Sequence, residues 1–438
     1  MRESLQERPS PFLANNYHGG GFVSDDDRVS MQSVHFASRK SAGRRSQGKL
    51  TELAMALRES GTVDFNSSLA LPRAANRAGP REKIYLNPAS THAAIVTCGG
   101  LCPGLNDVVR GIVLKLLDYG VPESNILGVR YGFKGFYDKE RRPIVLTRKL
   151  VDSIQLEGGT MLGTSRSRAN LPEIIKRLDL WKIDILFVIG GPGSHNAALR
   201  IQKSCDENKV PCAIIAVPKS IDNDILLVDK TFGFETAVEE AQKPLMAAKV
   251  EATSGYRGIG LVKLMGRRSG FIAVQASLAS GLVDICLIPE VPFRLESVLT
   301  YLEFILENKG HAVICVAEGA AEGLRGQEEY HRPRGNSTDG DDDPANEALD
   351  VGVWLKSKIK EHLADVDVKY IDPSYLIRSI TSTSTDRIYC RMLANGAVHG
   401  AFSGYTGITV GLVNTHFVYL PIDAVREGDK INAIVLRC

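Results

Sequence analysis

From Ser90 onward the chain falls into a repeated rhythm. A short run of apolar, mostly β-branched residues is followed by a stretch with apolar positions three and four apart. "HAAIVTC" (92–98) precedes "LNDVVRGIVLKLLDYG", "DILFVIG" (184–190) precedes "HNAALRIQKSCDEN", and "CAIIAVP" (212–218) leads to "FETAVEEAQKPLMAAKVEA". The pairing returns with "YRGIGLVKLMG" before "SGFIAVQASLASG" and with "LVDICLIPE" before "RLESVLTYLEFILENKG"; "HAVICVAEG" closes the series. Because the short runs do not alternate apolar with polar, each strand is expected to be buried on both faces. Uninterrupted strands alternating with helices predict an α/β protein whose parallel sheets are covered on both sides. No fixed period recurs, so the chain is not a solenoid.

Two stretches break this rhythm. Residues 1–80 mix Ser, Gly, Asn, Arg and Asp with little periodicity and read as a largely irregular extension. One short helix is predicted there, over "KLTELAMALRES" (49–60). Near 322–347 lies a polar, charged insertion that reads as a surface loop. Its Asp341–Asp342–Asp343 run is either a solvated charge run or a weak cation site.

Composition narrows the classes. A chain of 438 residues is too long for one ordinary core and suits two. A net charge of +2 argues against nucleic acid or a membrane surface as partner. No apolar stretch approaches the length of a bilayer span. "MRESLQERPSPFLANN" lacks the apolar centre of a secretory signal, so a cytoplasmic location is the expectation, with an organelle transit peptide as the alternative. Glu3 and Glu7 count against that alternative. The eight cysteines are scattered without zinc-site spacing, and reduced, mostly buried thiols are expected in preference to a redox role for Cys98 and Cys102, which flank a glycine pair.

Ligands of open parallel sheets bind beyond the carboxyl ends of the strands, so the residues just after each apolar run carry the candidate chemistry. "CGGLCPGLN" (98–106) is a Gly-rich turn opening a helix, where free N–H groups can receive phosphate. "GGPGSHN" (190–196) is a second such turn. "AVPKSIDNDI" (216–225) sets Asp222 and Asp224 beside Lys219 and Ser220. Two carboxylates so close suit a general base and a metal-water ligand, although taken alone such a segment is more often a polar turn or helix cap. Arg267 and Arg268 of "LMGRRSG" can face an anion, and Glu318 of "VAEGA" is an acid at a strand end whose burial would demand a partner such as a sugar hydroxyl. "GGTMLGTSRSR" (158–168) has the composition of a phosphate-contacting loop.

Taken in order, "TCGGLCPGLN", "YGFKGFYD", "GGTMLGTSRS", "PKSIDNDI", "FGFETAVEEAQ", "GIGLVKLMGRRSGFIA", "VAEGA", "KYIDPSYLIRSI" and "AVHGAFSGYTGITVGLVN" resemble the phosphofructokinase family, in particular its ATP-using plant and protist branch. The resemblance implies two α/β lobes, each a mainly parallel sheet covered by helices, with the active site in the cleft between them. Residues 81–235 would form the ATP-binding lobe, and residues 236–438 the sugar-phosphate lobe, whose C-terminal segment returns to the first. It implies transfer of the ATP γ-phosphoryl group to the 1-hydroxyl of fructose 6-phosphate, with Mg²⁺ as cofactor and a homo-oligomer, often a tetramer, as the assembly. Gly99, Arg166, Ser167, Gly191, Pro192, Gly193 and Ser194 would contact ATP. Asp222 would be the base, and Asp224 would hold Mg²⁺ through water. Ser220, Ile221, Asp222, Met265, Gly266, Arg267, Glu318, Tyr375 and Arg378 would bind the sugar phosphate.

Family members that use ATP usually read "GGDG" in the second loop, and pyrophosphate users "GGDD". Gly193 at the fourth position therefore speaks for ATP. Lys219 is shared by pyrophosphate users and by the plant and protist ATP branch. The third position holds Pro192 where the family has the metal-site Asp. Proline removes a charge and a backbone N–H, and loss of an outer-shell metal ligand typically costs 10–100-fold. The expected function is an ATP-dependent 6-phosphofructokinase slowed by Pro192. A catalytically impaired binding or regulatory subunit is the alternative, and a pyrophosphate-dependent enzyme ranks lower.

Overall fold

The computed structural model describes residues 6–15, 21–31, 74–167, 169–320 and 350–425. The helix expected over 49–60 and the insertion near 322–347, with its three aspartates, lie outside the described residues. Strands in chain order are β1 (Arg8–Pro9), β2 (Arg28–Ser30), β3 (Ala74–Arg77), β4 (Lys83–Ile84), β5 (Ala93–Thr97), β6 (Ile126–Val129), β7 (Ile144–Val145), β8 (Ile185–Gly190) and β9 (Ala213–Pro218). The second half adds β10 (Gly258–Leu264), β11 (Ile285–Leu287), β12 (His311–Ala317), β13 (Asp367–Ile371), β14 (Ile408–Val413) and β15 (His416–Pro421). The helices used below are α1 (Leu105–Tyr119), α2 (Leu171–Leu180), α3 (Pro192–Glu207), α4 (Phe234–Ser254), α5 (Phe271–Ser280), α6 (Leu295–Lys309), α7 (Val351–His362), α8 (Ser374–Arg378) and α9 (Ser384–Phe402).

A nine-stranded sheet runs β2-β3-β15-β14-β9-β8-β5-β6-β7, and a four-stranded sheet runs β11-β12-β10-β13. The centre of the first, β14-β9-β8-β5-β6, is parallel, as is the whole of the second. Every residue of β5 and β8 is buried, as their unbroken apolar runs predict. Their side chains divide by alternation: Ala93, Ile95, Ile185, Phe187 and Ile189 enter one core, and Ala94, Val96, Leu186 and Val188 the core on the opposite face. In β10 the same alternation gives Ile259 and Leu261 to a core shared with α6 and α7, and Val262 and Leu264 to a core that reaches the other sheet. Gly260 lets α4 lie close against that sheet, since a Cβ there would sit 2.5 Å from the Ala248 carbonyl oxygen.

Short segments of the first eighty residues pair with the rest of the chain. β2 and β3 extend the large sheet beyond β15, and β1 pairs with β4. Strands of two to four residues are too short to carry a readable period; what holds them is pairing with residues remote in the chain, Arg8 with Ile84, Arg28 with Asn76 and Arg77 with Val418.

Candidate active site

The carboxyl ends of β5, β8 and β9 lie side by side, and the loops that follow them meet. After Thr97 the chain turns through Gly99 at φ +84°, a conformation that side chains disfavour. The Gly99 N–H donates to the Ser165 carbonyl (3.1 Å), the Thr164 hydroxyl to the Gly99 carbonyl (2.7 Å) and the Thr97 hydroxyl to the Gly163 carbonyl (2.7 Å). The 158–167 segment is thereby laced onto the first Gly-rich turn. Three cations gather over that turn. A Cβ on Gly99 would lie 3.6 Å from Lys219 Nζ, and one on Gly100 would lie 3.8 Å from Arg378 Nη1 and 3.9 Å from Arg166 Nη2. Lys219 is only 7% exposed, Arg378 Nε is buried without a hydrogen-bond partner, and no carboxylate among the described residues pairs with any of the three. A cluster of unpaired cations over half-buried glycine backbone attracts an anion.

At the end of β8, Gly190 fits under Ser194, whose Cβ and Oγ would both lie 2.4 Å from a Cβ there. Gly191 caps α3, and Pro192 is its first residue. The N–H at that position has no partner within a helix, so proline is well placed and α3 forms intact. What the loop loses is a charge and one N–H that an anion could have received. No acidic residue stands in the first turn of α3. A Cβ on Gly193 would meet nothing within 4 Å, so the space beside it is open. The Gly191 carbonyl accepts from the backbone of Ser194 (3.0 Å) and His195 (3.0 Å) and lies 3.1 Å from His195 Nδ1. Burial holds that imidazole down at about 4, so it is neutral at pH 7, and its other nitrogen meets the Thr409 hydroxyl at 3.0 Å.

The segment after β9 is knotted by its own polar groups. Ser220 Oγ donates to Asp224 Oδ1 (2.5 Å) and accepts from the Asp222 N–H (3.2 Å), while Thr231 donates its hydroxyl to the Ser220 carbonyl. Asn223 sits at φ +54°; its side chain accepts from Thr231 N–H (3.1 Å) and donates to the Asp229 carbonyl (3.3 Å). Held this way, Asp222 is half-buried, with its Oδ1 out of contact with solvent and lacking a partner. Burial above all, then the charges of Asp224 and Glu318, push its carboxyl up to about 7; Arg267 pulls the other way. A carboxylate poised near neutral pH is suited to accept a proton. The side chain of Ile221 packs into the core, so only its backbone is on offer.

The second sheet supplies the facing wall. β10 and β12 are in register at Leu264 and Ala317, so the turns after them adjoin. Gly319 donates its N–H to the Gly266 carbonyl (2.9 Å), and a Cβ on Gly319 would strike the Arg267 carbonyl oxygen at 1.9 Å. Arg267 Nε and Glu318 Oε1 lie 3.4 Å apart. Glu318 thus departs from the expectation of a buried acid seeking a partner: its side chain is 37% exposed and Arg267 already faces it. Met265 packs partly into the core, and the Arg378 guanidinium lies 4.8 Å over the Tyr375 ring, whose own exposure is 73%. Lys263 ties Asp350 to Asp372 at the root of α8, which presents Tyr375 and Arg378.

Sequence reasoning missed several supports. Ser269 donates its hydroxyl to the Asp222 carbonyl (2.6 Å) from the other sheet, and Asn223, Thr164 and His195 fix the loops just described. Of these only Asn223 carried a signal, an Asx residue flanked by two aspartates where a left-handed turn is common.

The family model described as Phosphofructokinase matches residues 92–401, a stretch that contains every group placed around this cleft. The chain belongs to the phosphofructokinase family. Among curated relatives of the family, "ATP-dependent 6-phosphofructokinase 5, chloroplastic" of Arabidopsis thaliana is 47% identical over 417 residues, covering 94% of this chain and 72% of its own length. The "ATP-dependent 6-phosphofructokinase" of Borreliella burgdorferi is 42% identical over 374 residues, 81% of each chain. Two solved structures show the phosphofructokinase fold in this chain. A pyrophosphate-dependent phosphofructokinase from Marinobacter aquaeolei has a TM-score of 0.64 at 21% identity, covering 76% of this chain and 83% of its own. Phosphofructokinase from Saccharomyces cerevisiae has a TM-score of 0.64 at 23% identity, covering 80% and 47%. No helix among the described residues is long and apolar enough to cross a membrane.

Proposed function

We propose that the chain is an ATP-dependent 6-phosphofructokinase, transferring the ATP γ-phosphoryl group to the 1-hydroxyl of fructose 6-phosphate to give fructose 1,6-bisphosphate and ADP. The observation that carries this reading is Asp222: a carboxyl whose buried Oδ1 is free, lifted to about 7, and which feels the charges of Asp224, Glu318 and Arg267. In this role Asp222 takes the proton of the sugar hydroxyl as it attacks phosphorus. Lys219 and Arg166, with the Gly99, Gly191, Pro192, Gly193, Ser194 and Ser167 loops, position the donor phosphates. Phosphoryl transfer asks for little else than such positioning and charge neutralisation. Met265, Gly266, Arg267, Glu318, Ser220 and the Ile221 backbone hold the sugar, and Tyr375 and Arg378 its 6-phosphate.

Mg²⁺ fits this donor set. The charges of Asp224 and Glu318 raise the cost of ionising Asp222, and a cation beside Asp224 relieves it. No cluster of three His, Cys, Asp or Glu among the described residues is arranged to hold a metal by itself, so the ion would be shared with the donor phosphates. When bound it neutralises phosphate charge. Gly193 supports ATP over pyrophosphate, because the open space beside it leaves room for a nucleotide. The relatives' names favour the enzyme over an impaired subunit. A homo-oligomer, a tetramer by resemblance, belongs to the same reading. So does a cytoplasmic location, with an organelle as the alternative that the plastid relative supports. The test is ADP release, followed by coupled oxidation of NADH, with fructose 6-phosphate and Mg-ATP. Turnover that requires both substrates supports the reading; turnover only with pyrophosphate, or none, overturns it.

A further inference from the structure

A cavity of about 560 Å³ opens at the edge of the nine-stranded sheet, beside β6 and the C-terminal end of α2. No residue of the proposed active site lines it. Its apolar wall is Phe136 stacked on Trp181, with ring centroids 5.8 Å apart. Its charged wall is Lys139, Arg142 and Arg177. The one acid lining it, Asp138, already faces Arg141 at 3.9 Å and accepts from the Glu140 N–H at 3.0 Å. Arg177 Nε is buried and has no hydrogen-bond partner. An arginine nitrogen left so, in a cavity with two further cations, is half of an interaction whose other half is an anion. Three positive groups against one engaged carboxylate match a dianion better than a monoanion.

The cavity is also wired to the phosphate loop. Its floor belongs to the Gly132–Phe136 turn, and Tyr131 just before it donates its N–H to the Leu162 carbonyl (2.8 Å). A Cβ on Gly132 would lie 2.6 Å from Ser165 Oγ, one on Gly163 would lie 2.6 Å from the Tyr131 ring, and Tyr137 is hydrogen-bonded to Ser167. Helix α2, which carries Arg177, begins only a few residues after that loop. We propose that this cavity binds a small organic phosphate monoester, its dianionic head on Arg177, Arg142 and Lys139 and its apolar body against Phe136 and Trp181. Occupancy moves the Tyr131–Tyr137 turn and with it the Ser165–Ser167 loop, so the ligand regulates ATP use.

Trp181 is itself the reporter, because the chain has only two tryptophans and Trp354 packs in the other lobe's core. The experiment titrates the full chain carrying Trp354→Phe with phenyl phosphate, with neutral phenol as control. The expected result is a saturable change in Trp181 emission with phenyl phosphate that phenol does not give. Arg177→Gln should raise the half-saturating concentration about tenfold or more. The exposed pair Lys139→Gln/Arg142→Gln should do the same if Arg177→Gln fails to fold. In the coupled assay, saturating phenyl phosphate should change the KM for ATP, and the change should vanish in whichever of these variants folds. No saturable signal, or one that survives these substitutions, overturns the site; binding that leaves the KM for ATP unmoved overturns the coupling.

Discussion

Replacing Asp222 with asparagine should inactivate the protein and stabilise it at the same time. Folding lifts this carboxyl from an ordinary 3.8 to about 7, so the folded chain binds its proton more tightly than the unfolded chain does. The stability this contributes is full below pH 4 and is lost as the pH rises through 7. Above that, the fold carries a carboxylate whose buried Oδ1 has no partner. A shift from 3.8 to about 7 corresponds to about 4 kcal/mol, a ceiling that local relaxation will lower. Asparagine has nearly the same shape and never ionises, so the variant escapes this penalty. The assay is unfolding of ligand-free wild type and Asp222→Asn from pH 5 to pH 8.5. The variant should already lead by about 1.7 kcal/mol at pH 5, where the unfolded chain is ionised and the folded one is not, and should gain steadily until about pH 7.5. Its kcat should fall by about 10²–10⁴-fold, the usual contribution of a positioned base. A stability difference that is flat with pH, or that favours wild type at pH 8, refutes the reading of Asp222 as a desolvated base.

Pro192→Asp should leave α3 unchanged by circular dichroism and lower the half-saturating Mg²⁺ concentration by about 10–100-fold; an unmoved value refutes Pro192 as the gap in the metal site. Gly193→Asp should unfold within about 0.5 kcal/mol of wild type, because nothing lies within 4 Å of its Cβ, while the KM for ATP rises at least about tenfold by repulsion. An unchanged KM would mean that no phosphate passes that residue. Lys219→Met should reduce kcat/KM for ATP by about 100-fold without lowering the melting temperature, since a buried, unpaired ammonium does not help the fold. A lower melting temperature with normal kinetics would assign Lys219 a structural role instead.

Much of this was legible in the sequence wherever the signal was local. Unbroken runs such as "ILFVIG" announced strands buried on both faces, and the rule that ligands gather at the carboxyl ends of parallel strands brought the Gly99, Gly191 and Asp222 segments to one place. What escaped depends on partners remote in the chain. The pairing of β3 with β15 joins Arg77 to Val418, and nothing in "AANR" hints at it. Ser269 reaches Asp222 from the other sheet, and Glu318 finds Arg267 because two turns happen to adjoin. Pro192 could be read as a lost charge from its letter alone; that the helix tolerates it required knowing that α3 begins on that residue.

The guanidinium groups over Gly100 have a mechanical consequence. Arg166 hangs from the nine-stranded sheet and Arg378 from the end of the four-stranded one, and both approach the same point. Two like charges within roughly 8 Å repel by about 2 kcal/mol at an effective dielectric constant of about 20. The two groups should therefore lie further apart when the site is empty than when a phosphate lies between them. Ionic strength acts on the resting aperture, which should widen as salt is withdrawn and narrow when inorganic phosphate is supplied, a change in radius of gyration that X-ray scattering can follow. Repulsion in the empty site and attraction for an anion in the filled one come from the same two residues.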